Sequence, residues 1–202
     1  MIKCDLTLCA VISRAAAVKK DKNDNSFLSF GVRIPIEGRD GARKDLDISV
    51  SVDGDKSKAG VFALNRRVNI TGVMNIVKRD GRMFCNLRAS SAELANSQDS
   101  NHINGTMEFR GKVSKQGIEE KKDKKDNTYK AFSAFSSDKH DDKVEFTWVR
   151  FLYFNPKDGE DFLQANAYIE AKGELQLGVF KDAISLDCRV SEVKPWILER
   201  HE

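Results

Sequence analysis

The stretch Thr147-Trp148-Val149-Arg150-Phe151-Leu152-Tyr153-Phe154 holds residue types from which a stacking surface can be made. Alternate residues of a strand share a face. Trp148, Arg150, Leu152 and Phe154 therefore point one way, and Val149, Phe151 and Tyr153 the other. The second set suits a buried interior. The first set places a tryptophan, a guanidinium and a phenylalanine together. Planar bases stack on such rings at roughly 1–3 kcal/mol each, while a cation follows the phosphates. Packing against a helix, another part of the chain or another subunit is the alternative use of the same face.

Weaker candidates surround this core. Phe180 falls on a later hairpin. Phe132 and Phe135 share a strand with opposite parity, so at most one of them faces the groove, and Phe135 is the choice. Tyr129 and Lys130 follow a charged run that contains Lys122 and Lys124. Charge runs usually just face water. Lysines beside a groove could also close over a strand and touch its phosphates.

Signs of catalysis are missing from the sequence. It contains no G-x-x-x-x-G-K-[ST] loop, no G-x-S-x-G elbow and no H-E-x-x-H pair. Cys4, Cys9, Cys85 and Cys188 form no C-x-x-C pair, and His102, His140 and His201 lie far from them. Four free thiols and no metal or cofactor are the expectation. Asp141-Asp142 and Asp158 to Asp161 could hold magnesium in principle, but such charged stretches are by default solvated turns. The expectation is a binding protein, not an enzyme.

At 202 residues, with 40% hydrophobic and 32% charged, the chain fits one large domain or two of about 100 residues. No run of about 18 apolar residues suggests a membrane-spanning helix. Asp5 interrupts the place where a secretory signal carries its apolar stretch. A soluble cytoplasmic protein in a reducing compartment is expected. The net charge of +3 is modest for a nucleic-acid binder and implies a moderate salt dependence.

Self-similarity organises the chain. Lys19-Lys20-Asp21-Lys22-Asn23-Asp24-Asn25-Ser26-Phe27 returns 102 residues later as Lys121-Lys122-Asp123-Lys124-Lys125-Asp126-Asn127-Thr128-Tyr129. Met83, Cys85, Leu87 and Ala89 match Ile184, Leu186, Cys188 and Val190 at an offset of 101, and Gly72 matches Gly173. Two tandem copies result, at residues 1–95 and 105–202, with a polar linker at 96–104.

Each copy reads as five strands. In the first they lie near 6–12, 26–36, 46–52, 67–77 and 83–89; in the second near 107–113, 128–135, 144–154, 167–178 and 183–193. Glycine-containing or charged turns separate them. One short helix is expected between the third and fourth strands of each copy, near 59–65 and near 160–165. This order defines an all-β protein of two tandem OB-fold barrels, small five-stranded Greek-key barrels that commonly bind oligonucleotides.

The segment Thr147 to Phe154 resembles the third strand of bacterial single-stranded DNA-binding proteins, where Thr-x-Trp-x-Arg or a close variant leads into an apolar run. Ala167-Tyr168-Ile169-Glu170-Ala171-Lys172-Gly173-Glu174-Leu175 resembles that family's Val-Tyr-Ile-Glu-Gly-x-Leu strand, with two residues inserted before the glycine. The likeness spans roughly 105–196. It implies a protein that coats single-stranded DNA without sequence preference in replication, recombination or repair. It further implies an assembly of four OB domains, which two such chains supply as a homodimer. The stretch Trp196-Ile197-Leu198-Glu199-Arg200-His201-Glu202 departs from the glycine-rich, acidic tail common in the family, which puts tail-mediated recruitment in doubt. A divergent phage, plasmid or mobile-element member would fit the tandem form.

The copies are unequal. Only Phe27, Phe30, Phe62 and Phe84 supply aromatic rings in the first half, which carries the positive charge excess. Its third strand presents Asp47, Ser49 and Ser51 outward, where nothing can stack. The second copy is expected to hold bases. The first is expected to contribute subunit contacts or backbone charge through Arg33, Arg39, Arg43, Lys44, Arg66, Arg67, Lys78, Arg79 and Arg82. An aromatic face tolerates either sugar, so RNA stays open beside DNA. The competing reading is a protein-interaction module whose barrels have lost nucleic-acid binding.

Overall fold

A computed structural model describes residues 1–197, apart from Arg39, Asp141, Asn155 and Asp158. The expectations placed on Arg39, Asp141, Asp158 and the stretch from Leu198 onward lie outside the described residues. The strands are β1 (Ile2–Lys20), β2 (Ser26–Glu37), β3 (Arg43–Asp53), β4 (Arg67–Arg79) and β5 (Arg82–Leu94), then β6 (His102–Lys122), β7 (Thr128–His140), β8 (Lys143–Tyr153), β9 (Tyr168–Phe180) and β10 (Ala183–Pro195). A four-residue helix α1 (Lys56–Ala59) sits between β3 and β4.

Period-two alternation drives these elements. In β4, Val68, Ile70, Met74 and Ile76 are buried while Asn69, Thr71 and Asn75 face water. In β8, Val149, Phe151 and Tyr153 are buried, as their parity requires. β1 pairs with both β2 and β4, β2 with β3, β3 in parallel with β5, and β5 with β4, which closes a barrel. β6 to β10 close a second in the same order. These are two OB-fold barrels, and closure removes the exposed sheet edges that invite mispairing.

β1 and β6 run much longer than their apolar cores at 6–12 and 107–113 suggest. Bulges are the reason. Register shifts between Ile12 and Ala17 in β1, and between Val113 and Ile118 in β6, bend each strand so that its two ends pair with different neighbours. The β6 bulge holds one residue more, with Gly117 at φ 77°. That residue explains the two repeat offsets: Leu6–Gly72 matches Met107–Gly173 at 101, whereas Lys19–Phe27 matches Lys121–Tyr129 at 102. Gly72 and Gly173 recur for a steric reason. A Cβ there would lie 2.3 Å from the Arg88 carbonyl oxygen and 2.1 Å from that of Arg189.

The helices differ from expectation. The first lies a few residues earlier than 59–65, because Asp55 caps it by accepting from the Ser57 N–H at 2.9 Å. The second is corrected: residues 160–165 form turns, with Leu163 N–H donating to the Glu160 carbonyl, and no helix among the described residues.

The repeated charged segment builds the same hairpin tip twice. Asp21 accepts from the backbone N–H groups of Asn23 and Asn25 at 2.8 and 2.9 Å; Asp123 does so from Lys125 and Asn127 at the same distances. Asp24 and Asp126 take positive φ values of 64° and 65°. The recurrence of Asp and Asn at fixed places is therefore turn chemistry.

The barrels join where β1 and β6 pair antiparallel, from Ile2–Phe109 to Cys9–His102, giving one continuous ten-stranded sheet. Two hairpins then cross over. At the β4–β5 turn, Gly81 N–H donates to Glu145 at 2.8 Å and Asp80 meets Lys143 at 3.6 Å. At the β9–β10 turn, Asp182 receives Lys44 at its carbonyl and carboxylate, the latter at 3.1 Å. All four cysteines are buried and free. Among the described residues no helix is long and apolar enough to cross a membrane.

Candidate nucleic-acid interface

The outer face of β8 carries two aromatic clusters with an arginine between them. At one end Trp148 is 52% exposed and its ring centroid lies 5.0 Å from that of Phe135, its partner across β7. Phe146, 45% exposed, meets Phe135 edge-on at 4.9 Å. Phe132 turns inward instead and stacks on Phe151. At the other end, just past the strand, Phe154 stacks on Tyr129 at 4.8 Å, and the Arg189 guanidinium sits 4.9 Å from its centroid. Six residues of extended chain put these clusters roughly 20 Å apart.

Arg150 lies between them on the same face. Its Nε donates to Asp187 Oδ1 at 3.2 Å, and a terminal nitrogen bonds the other oxygen. Parallel pairing of β8 with β10 places the two residues opposite each other. The bidentate geometry orients the guanidinium but offsets its charge.

A groove of about 1860 Å³ runs between the barrels. Trp148, Phe146, Arg150 and Phe180 line it from the second barrel; Ile34, Arg43, Lys78 and Arg82 line it from the first. Phe180 is 66% exposed at the β9–β10 tip, with the Lys181 ammonium 5.3 Å from its ring. The structure thus gathers Trp148, Arg150, Phe135 and Phe180 around one end of β8 and its groove. It sets Phe154, Tyr129 and Lys130 at the other end. Lys130 is half-buried beside Tyr153. Lys122 is tied to Asp126 at 2.8 Å, while Lys124 is exposed on the turn.

In the first barrel Phe30 stacks on Phe62 inside the core. Several expected cations already have partners. Arg33 bonds Asp47 at 2.8 Å, Arg43 bonds Glu37, and Lys44 bonds Asp182. Arg66 donates to the Val61 carbonyl and Arg67 to Asn101. Lys78, Arg79 and Arg82, around the β4–β5 turn, have no ion pair among the described residues.

Sequence reasoning missed Phe146, Asp187 and Arg189. Phe146 carried a signal, standing two residues before Trp148 on one strand. Asp187 and Arg189 carried none, because only the β8–β10 register brings them to Arg150 and Phe154. No cluster of His, Cys, Asp and Glu among the described residues could hold a metal ion.

No protein-family model matches the sequence, and no curated protein matches it. Solved structures do match in shape. The wild-type single-stranded DNA-binding protein from Thermus aquaticus superposes with a TM-score of 0.51 at 7% identity, over 100% of this chain and 96% of that one. A deletion variant of the same protein gives 0.48 at 9% identity, over 100% and 98%. A small single-stranded DNA-binding protein from Streptomyces coelicolor gives 0.36 at 10% identity, over 49% and 96%. At such identities the wild-type Thermus likeness is one of fold: the tandem OB architecture is shared along both chains.

Proposed function

We propose that this chain is a non-enzymatic protein that binds single-stranded DNA without sequence preference, coating and protecting it in replication, recombination or repair. The second barrel holds the bases. The observation that carries this reading is Trp148: a half-exposed indole on the outer face of an OB barrel, backed by Phe135 and Phe146, with Arg150 next on that face. Phe154 with Tyr129 and Arg189 supplies a second stacking point, and Phe180 flanks the groove. Lys124 and Lys130 add phosphate contacts, and Lys122 does so when it leaves Asp126. Lys78, Arg79 and Arg82 give the first barrel the same role. The proposed division is 1–95, a linker at 96–104 whose last three residues already belong to β6, and 105–202. Two chains form a homodimer with four OB domains in a reducing cytoplasm.

The test is fluorescence anisotropy of a labelled oligothymidylate at two salt concentrations, with wild type and the Trp148→Ala/Phe154→Ala double variant. The expected result is clear wild-type binding, a loss of roughly 2–5 kcal/mol in the double variant, and a moderate salt effect. No wild-type binding at micromolar protein would overturn the proposal. One observation favours the protein-interaction alternative: Arg150, Arg43 and Lys44 are already paired with carboxylates. Under that alternative Trp148 emission stays unchanged on adding single strands.

A further inference from the structure

The registers of four strands line up one row of side chains across the outside of the second barrel. Trp148 on β8 faces Phe135 on β7, Phe135 faces Lys112 on β6, and Lys112 faces Tyr168 on β9. Directly opposed residues on paired strands project to the same face within contact range. The contacts agree: Trp148 touches Phe135, and the Lys112 ammonium lies 5.5 Å from the Tyr168 ring centroid. Tyr168 then meets Trp196 edge-on at 6.0 Å, and the Trp196 N–H donates to the Tyr168 carbonyl.

Resting on the single-strand reading above, we propose that the bound strand continues past Trp148, over Phe135 and Lys112, to a second stacking platform formed by Tyr168 and Trp196. Three strand spacings separate β8 from β9, roughly 14 Å along the row. Tyr168 is 42% exposed and Trp196 half-buried, so aromatic surface is accessible at the far end. Lys112 has no carboxylate partner among the described residues and lies between the two platforms. Beside it Arg110 and Lys194 share one carboxylate, that of Glu170, at 2.8 and 2.9 Å. The row therefore sets one cation between two pairs of rings and has positive charge in excess along one flank, an arrangement that suits bases and phosphates. A contact with a second protein is less well served. Protein interfaces are depleted in lysine and glutamate at their cores, and here Lys112, Glu170 and Lys194 flank the rings.

The chain has two tryptophans, so each platform has its own reporter. Trp148→Phe leaves Trp196 as the sole indole, and Trp196→Phe leaves Trp148. Each variant is titrated with oligothymidylates from about 4 to about 16 nucleotides, the range of site sizes per OB fold. The expected result is quenching of Trp148 at all lengths and of Trp196 only by the longer strands. Adding Lys112→Ala and Tyr168→Ala should remove the Trp196 response and weaken binding of the longest strand by roughly 5- to 100-fold, whereas Tyr168→Phe, which keeps the ring, should retain the response. Quenching of Trp148 with no Trp196 response at any length would overturn this proposal alone. Silence of both indoles would overturn the single-strand reading and this extension together. A Trp196 signal that changes with protein concentration in the absence of DNA, and is lost in Tyr168→Ala, would assign the platform to a contact between copies instead.

Discussion

Asp5 and Thr106 stand opposite each other where β1 meets β6, and in the repeat each is the counterpart of the other, 101 residues apart. The seam between the barrels is therefore a pseudo-two-fold contact, with equivalent strand segments paired antiparallel. Symmetry of this kind explains the crossing hairpins. The β4–β5 turn of the first barrel reaches β8, and its counterpart, the β9–β10 turn, reaches β3.

The seam depends on close backbone approach at Gly105. A Cβ there would lie 2.3 Å from the Asp5 carbonyl oxygen and 2.6 Å from Leu6 Cβ. Gly105→Ala should destabilise the protein by about 1–3 kcal/mol, the range for overpacking, and lower the melting temperature by several degrees. Calorimetry on both proteins checks this. An unchanged melting temperature would mean that β1 and β6 part without consequence.

The ion pair of Arg150 with Asp187 should restrain binding. Asp187→Asn removes the carboxylate charge and keeps the hydrogen-bonding shape. Affinity for single-stranded DNA should rise, and the slope of log affinity against log salt should steepen by about 0.7, the value for one added phosphate contact. An unchanged slope in the anisotropy titration would show that Arg150 touches no phosphate.

Burial pushes the thiols of Cys4, Cys85 and Cys188 up to about 12. The folded protein thus disfavours the thiolates, and alkylation at pH 8 should be slow until denaturant is added. Because the folded-state values lie above the unfolded ones near 9, these groups stabilise the fold fully below pH 9, and that contribution fades as pH rises toward 12. Mass spectrometry after iodoacetamide treatment tests the first point, and urea midpoints across the alkaline range test the second. Rapid labelling of the native protein at all three positions would contradict the burial.

Hydrogen bonds from Asn127 and Lys125 hold the Asp123 carboxyl below its usual range, as those from Asn25 and Asn23 do for Asp21. Their contribution to the hairpin tips is present at neutral pH and is lost as pH falls through the lowered values. Asp123→Ala should accelerate amide exchange at Lys125 and Asn127 while leaving β8 protected. Equal exchange in both proteins would show that the tip is held by other contacts.

Much of this was readable from local pattern. Alternation along β8 assigned Val149, Phe151 and Tyr153 to the interior and Trp148 to the outside, because side-chain direction in a strand follows sequence parity alone. Parity likewise separated Phe132 from Phe135. The repeat was visible because two copies of one fold need the same turn residues at the same places, as Asp21 and Asp123 show.

Strand extents were less legible at β1 and β6, since a bulge carries no apolar signature and a strand can run on through polar residues once a neighbour accepts its hydrogen bonds. The second helix failed for a related reason: short apolar spacing at 160–165 is satisfied equally by turns that bury Leu163. Only the tertiary structure could bring Asp187 to Arg150, Arg189 to Phe154 and Tyr168 to the Trp148 row. Those neighbours are set by register between strands distant in sequence, and register is decided by barrel closure, in which all five strands of a copy must pair at once.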